Sequence, residues 1–177
     1  MKSLKLVALA LIAISLAYCG KKGLEIKFSL PTQTLSFDVD TTSIVGPHQY
    51  IVTKTLSNLD SIAKANKTSI EKIKSVEPQS ITISIVTPDT STFNPMDTLI
   101  FTLSTPGLNN AVKVASFTNI PKGIDTYTFT PEKSDVLALF KEKEITLTTK
   151  LVTNKPIYVK TRIKVQITPQ ATATVIK

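Results

Sequence analysis

The stretch Glu144–Thr168, EITLTTKLVTNKPIYVKTRIKVQIT, decides the fold. Ile145, Leu147, Leu151, Ile157, Val159, Ile163, Val165 and Ile167 all stand at odd positions, and most residues between them are polar. Successive side chains of an extended strand point to opposite faces, so a period of two marks strands with one dry and one wet face. Thr153-Asn154-Lys155-Pro156 interrupts the pattern with turn-forming residues. The spacing predicts a hairpin in which Thr149 faces Thr161 and Leu147 faces Ile163, odd against odd on one buried face. On the wet face Lys150 would then oppose Lys160, Thr148 would oppose Arg162, and Thr146 would oppose Lys164.

The same alternation recurs upstream. Leu24, Ile26, Phe28 and Leu30 form one set, and Leu35, Phe37 and Val39 a second after Pro31. Tyr50-Ile51-Val52, the Ile81-Ile83-Ile85 series, Leu99-Phe101-Leu103, Val112 to Phe117 and Tyr127 to Phe129 supply the others. One helix interrupts them between Leu56 and Asn66. Leu59, Ile62 and Ala63 share a stripe there, and Ser57 or Asn58 can cap it. Ser134-Asp135 starts a brief helical turn carrying Val136, Leu137, Leu139 and Phe140. About nine strands joined by short connections predict a mainly all-β chain. The expected form is an antiparallel, immunoglobulin-like β-sandwich with one short connecting helix near residues 57–66, the helix covering an open end of the core. Residues 24–177 would make this single domain.

Composition narrows the chemistry. The 177 residues carry a formal charge of +8, yet Arg162 is the sole arginine. A nucleic-acid binder would normally add arginine forks to its lysines, so no nucleic-acid partner is expected. One cysteine and one histidine cannot build a structural zinc site. His48 in Gly46-Pro47-His48 has no nucleophile elbow to serve, and no Gly-rich phosphate loop occurs, so the chain reads as non-enzymatic. Asp38 and Asp40 on one strand face are a weak calcium signal. The candidate contact is the wet face of the last hairpin: Lys150, Lys160, Arg162 and Lys164, with Tyr158 beside them, for an anion or a lipid headgroup. Charged side chains that deter edge-to-edge pairing are the plainer explanation.

The start of the chain concerns location. Met1-Lys2-Ser3-Leu4-Lys5 is basic, Leu6 to Ala17 is an apolar run, and Cys19 closes it before Gly20-Lys21-Lys22. The run is too short for the roughly 20 residues of a membrane-spanning helix but has the parts of a secretory signal. It resembles a bacterial lipoprotein signal, in which residues 1–18 are removed and Cys19 is lipidated. A cut after Ala17 also fits the small-x-small form and would leave Cys19 a free thiol. The resemblance implies covalent acyl chains (palmitate-like) on Cys19 as the sole non-protein group, a tether over 19–23, Gly20 favouring the outer membrane, and the lack of an acidic cluster after Cys19 favouring a periplasm-facing position. Loss of Lys2 and Lys5 would leave a charge of +6.

The layout as a whole is similar to a group of small bacterial envelope lipoproteins of unassigned role with an immunoglobulin-like sandwich. Leu56-Ser57-Asn58-Leu59-Asp60-Ser61, the stretch Thr68 to Val76, the run Ser80 to Pro88 and Thr153-Asn154-Lys155-Pro156-Ile157 carry that similarity. It implies a membrane-anchored binding or structural module with an envelope protein as partner. The alternative is a binder of glycan or lipid through its end loops or its basic strand face.

Overall fold

The computed structural model describes residues 24–106 and 111–175. The expected signal (1–18), Cys19 and the tether (19–23) lie outside the described residues. Nine strands follow in order: β1 (Leu24–Ser29), β2 (Gln33–Val39), β3 (Gly46–Thr55), β4 (Ile73–Thr87), β5 (Met96–Ser104), β6 (Val112–Thr118), β7 (Thr126–Phe129), β8 (Glu144–Thr153) and β9 (Thr161–Val175). Helix α1 (Leu59–Ala65) and a 3-10 turn (Ile70–Lys72) lie between β3 and β4, and helix α2 (Leu137–Phe140) lies between β7 and β8. The chain is therefore mainly β, with the short helix where the sequence predicts it. Asn58 is its cap, accepting from the amides of Asp60 and Ser61.

All strand pairs are antiparallel, in two sheets. One runs β1/β2–β9–β4–β7, with β1 and β2 end to end along the same edge of β9; the other runs β3–β8–β5–β6. The pairs are nested: β5 with β6, β4 with β7, β3 with β8, β2 with β9. A two-stranded ribbon rolled into two sheets has this order, which is that of a jelly roll. The immunoglobulin-like order expected above is not the one found. There the A–B, D–E and F–G neighbours follow one another in the chain, whereas here only β5 and β6 are consecutive strands that pair.

The predicted last hairpin is corrected in the same way. β8 pairs with β3 and β5, and β9 with β1, β2, β4, so the two strands lie in opposite sheets. The chain from Asn154 to Lys160 crosses between the sheets. Ile145, Leu147, Leu151, Ile163, Val165 and Ile167 are buried as the parity requires, but they meet across the core and not along a ladder. Val159, expected on the dry face, is 53 % exposed because the crossover is not strand. Gly46 and Pro47, read as a turn, begin β3, which lies at a sheet edge where a missing amide proton is tolerated.

Aromatic pairs close the two open sides. Phe37 of β2 stacks on Tyr50 of β3 at 4.8 Å, and Phe117 of β6 lies 4.9 Å from both Tyr127 and Phe129 of β7. The first sheet outruns the second. There α1 contributes Leu59 and Ala63 to the core, α2 contributes Leu139 and Phe140, and Asp135 ties α2 to β4 by accepting from the amides of Val76 and Leu137. Pro78 and Pro169 face each other beside a bulge of the β4–β9 ladder, and the Leu30 amide donates to Pro169 O at 3.0 Å on the other side of β9.

Two buried hydroxyls, those of Thr105 and Thr149, have no partner among the described residues. Thr149 of β8 is 1 % exposed. An unpaired buried hydroxyl costs about 1–3 kcal/mol. Thr149→Val keeps the β-branched shape and removes the group. It should raise stability by about 1 kcal/mol, read as an upward shift of the thermal midpoint by a few degrees.

Candidate functional site

β9 sets the long axis of the molecule. Leu24 pairs with Val175 at one end of it, and Val39 pairs with Thr161 at the other. Fifteen residues of strand separate these ends by roughly 45 Å at about 3.3 Å per residue. Four connections gather at the Thr161 end, far from Leu24: β2–β3 (40–45), β4–β5 (88–95), β6–β7 (119–125) and β8–β9 (154–160).

These loops are laced by backbone hydrogen bonds. Thr42 and Ile157 exchange both, at 2.8 and 2.9 Å. The Asn154 amide donates to Pro95 O at 2.9 Å, the Phe93 amide to Ile124 O at 2.9 Å, and the Gly123 amide to Asn94 Oδ1 at 2.7 Å. Gly123 has φ +77°, a conformation that favours glycine. Lys122 Nζ donates to Met96 O at 2.7 Å. Phe93, Met96, Ile120 and Ile157 are buried beneath, so the loops rest on the core.

Apolar side chains remain on the outside of this end. Tyr158 is 81 % exposed, Ile44 70 % and Val45 50 %. Between the β4–β5 and β8–β9 loops lies a mostly apolar groove of about 390 Å³, lined by Pro95, Met96, Pro156, Ile157, Tyr158 and Val159, with Ser91, Thr92, Asn94, Lys155 and Thr161.

The five residues predicted as an anion contact do not form one stripe. Lys150 lies on β8, opposite Gln49 and Ile100, on the other sheet. Arg162 instead meets Asp38, its cross-strand partner on β2, through two hydrogen bonds, Nε to Oδ1 at 2.7 Å and Nη2 to Oδ2 at 3.0 Å. Lys160 reaches Asp40 Oδ1 at 3.1 Å and Asp38 Oδ2 at 3.5 Å. The carboxylates read as a weak calcium signal are thus the counter-ions of the predicted basic face. Lys164 stands opposite Ser36 and Ser84 on the outer face of the first sheet. Tyr158 lies at the groove, and of the tyrosines considered as a stacking platform it alone is exposed. Tyr50 and Tyr127 pack on Phe37 and Phe117, and burial pushes the Tyr50 hydroxyl above its ordinary value. His48 sits on β3, its Nε2 3.2 Å from Ile44 O. No cluster of three or more His, Cys, Asp or Glu suited to a metal ion occurs among the described residues, and none of their helices is long and apolar enough to cross a membrane.

The groove's other wall, Ser91 to Met96, carries little local signal in the sequence. Its only local sign is Phe93 and Met96 among turn residues. Ile44-Val45, an apolar pair between Ser43 and Gly46, was the clearest available hint of an exposed patch.

No protein-family description matches the chain, and no curated protein does. Among solved structures, the capsid protein of BFDV, a decamer, is similar at TM-score 0.38 and 8 % identity, over 84 % of this chain and 99 % of that one. Turnip yellow mosaic virus follows at 0.30 and 12 %, over 89 % and 85 %. Desmodium yellow mottle tymovirus stands at 0.27 and 6 %, over 83 % and 90 %. Likenesses this distant carry no argument here; the strand order rests on the chain's own pairing.

The Asp38–Arg162 pair gives a pH prediction. Hydrogen bonds from Arg162, with the charges of Arg162 and Lys160, hold the Asp38 carboxyl below its ordinary 3.8 against the opposing effect of burial. Its contribution is complete above the unfolded value and is lost as pH falls through the lowered one. Asp38→Asn should therefore flatten the fall of the thermal midpoint between about pH 5 and pH 2. An unchanged acid limb would show the pair to be inconsequential.

Proposed function

We propose that the protein is a lipid-anchored, non-enzymatic binding module of a bacterial cell envelope, held at the outer membrane through acyl chains on Cys19. Its contact surface is the four-loop end. One observation carries the reading: the strand that follows the tether begins at one end of β9, and the exposed apolar patch lies at the other. An anchor at Cys19 leaves four residues before Leu24, a reach of roughly 15 Å. The loop end would then face away from the bilayer, available to an envelope protein. A scattered exposed apolar residue is ordinary, but a groove and its neighbours concentrated at one end are the pattern of an interaction site.

The alternative, contact with lipid or glycan through the basic strand face, has less support. Arg162 and Lys160 already hold carboxylates, Lys150 faces elsewhere, and Tyr158 lies far from Leu24.

Two or more acyl chains are needed for stable anchoring. Cys19→Ala should move the protein from the membrane fraction to the soluble periplasmic fraction, and mass measurement of the native N-terminal peptide should show acyl chains on Cys19. An unmodified Cys19 thiol in protein from its own cell would remove the anchor from this reading.

A further inference from the structure

We infer that the groove between Ser91–Met96 and Lys155–Thr161 binds an extended peptide segment of a partner protein, one that combines a large apolar side chain with a nearby carboxylate. The inference rests on the reading of the loop end as the contact surface and adds the chemistry of the occupant.

The groove exists because two chains that are neighbours in the sheet part company. Thr87 is opposite Arg162, the last pairing of β4 with β9 at this end. Beyond it the β4–β5 loop and the β8–β9 crossover leave the ladder, and the groove lies between them. Ile157 is bridged to Thr42. Among the described residues the amides of Tyr158, Val159 and Lys160 make no backbone hydrogen bond. Unpaired backbone beside an apolar trough is what an added strand uses: main-chain hydrogen bonds supply affinity and alternate side-chain pockets supply selectivity.

The polar groups in the groove favour a peptide over a sugar. Asn94 Oδ1 is taken by the Gly123 amide, and the Thr161 hydroxyl donates to Val159 O at 2.9 Å. A glycan site needs several free directional groups, and here the accessible surface is chiefly Pro95, Pro156, Tyr158 and Val159 above the buried Met96 and Ile157, with Ser91 and Thr92 the other hydroxyls of the lining. The volume, about 390 Å³, is at the lower end of the range of ligand pockets. It accommodates one large side chain with its flanking backbone.

Charge supplies the second requirement. Of the two lysines on the β8–β9 loop, Lys160 is held by Asp38 and Asp40, whereas Lys155 is exposed and makes no salt bridge among the described residues. A cation at the mouth of a dry groove selects for an acidic side chain or a C-terminal carboxylate, as a rim charge does in other interfaces.

The test is an array of synthetic hexapeptides of randomised sequence, probed with the purified full chain in detergent. Enriched peptides are then labelled and titrated by fluorescence anisotropy. Enrichment of a large apolar residue with Asp, Glu or a free C-terminus one to three positions away is expected. Tyr158→Ala should weaken the best peptide about tenfold or more, and Lys155→Glu should reverse the preference toward Lys- and Arg-bearing peptides. Lys150→Glu, on the other sheet, should change nothing. Both groove residues are exposed, so equal thermal midpoints are expected for the variants and check that folding is intact. Three outcomes would overturn the inference: no enriched peptide, peptides that bind all variants alike, or anisotropy changes only with phosphatidylglycerol vesicles or soluble polysaccharide. The anchor is tested separately by the Cys19 mass. A thiol at Cys19 with intact peptide selection removes the anchor alone; acylated protein that selects no peptide removes the groove's assignment alone.

Discussion

Everything in this fold depends on β9 being hydrogen-bonded along both edges. β4 occupies one edge, and β1 and β2 share the other end to end. A strand paired on both sides leaves no open ladder, and its odd-numbered side chains have only the second sheet to pack against. Thr161, Ile163, Val165, Ile167, Ala171 and Ala173 are all buried. The step from isoleucine and valine to alanine along that face is informative. Large side chains lie where the second sheet stands opposite, and alanines lie in the half of β9 that β1 flanks, beyond the reach of β3 and β8. A small residue there lets α1 and the 3-10 turn come close, and the Thr68 hydroxyl donates to Thr174 O at that end.

The nested order explains how so many non-local pairs can be reached. β5 and β6 are joined by the shortest route, and each further pair encloses the one before it. The entropic cost of closing a loop grows with its effective length. Once β5 and β6 are paired, the loops that separate β4 from β7 and β3 from β8 are already shortened. The local signals agree with this architecture at almost every strand, and such agreement between local preference and global fold is what gives a single native state.

That agreement also marks what the sequence could and could not reveal. Alternation reports which side chains of a strand are dry. It does not report whether two strands are neighbours in one sheet or face each other across two, because both arrangements bury the same parity. Leu147 and Ile163 satisfy either. The distinction lay in Pro156 to Lys160, where exposed Tyr158 and Val159 break the rule, and a four-residue turn was too small a reading of a seven-residue crossover. The helix at Leu59 and the turn at Val136 were legible because caps and stripes are local. The basic face was not, since Asp38 and Arg162 are 124 positions apart and become partners only through the pairing of β2 with β9. The groove was illegible for a related reason: its walls, near residue 93 and residue 157, are unconnected in the sequence.

The separation of a rigid body from a loop-built end has a thermodynamic consequence for recognition. Binding surfaces made of loops lose affinity to the ordering of those loops, by about 0.5–1.5 kcal/mol for each mobile side chain that is frozen. If the loop end is the contact surface proposed above, that cost is largely met in folding: the Thr42–Ile157 exchange, the Asn154–Pro95 bond and the Phe93–Ile124 bond hold four separate connections to one another. The same bonds keep the apolar side chains apart. Ile157 and Met96 point down into the core while Tyr158, Val159, Ile44 and Val45 stay outside, so the surface cannot collapse on itself to hide its greasy groups. The bracing makes sense if the surface is kept open for something that fits it.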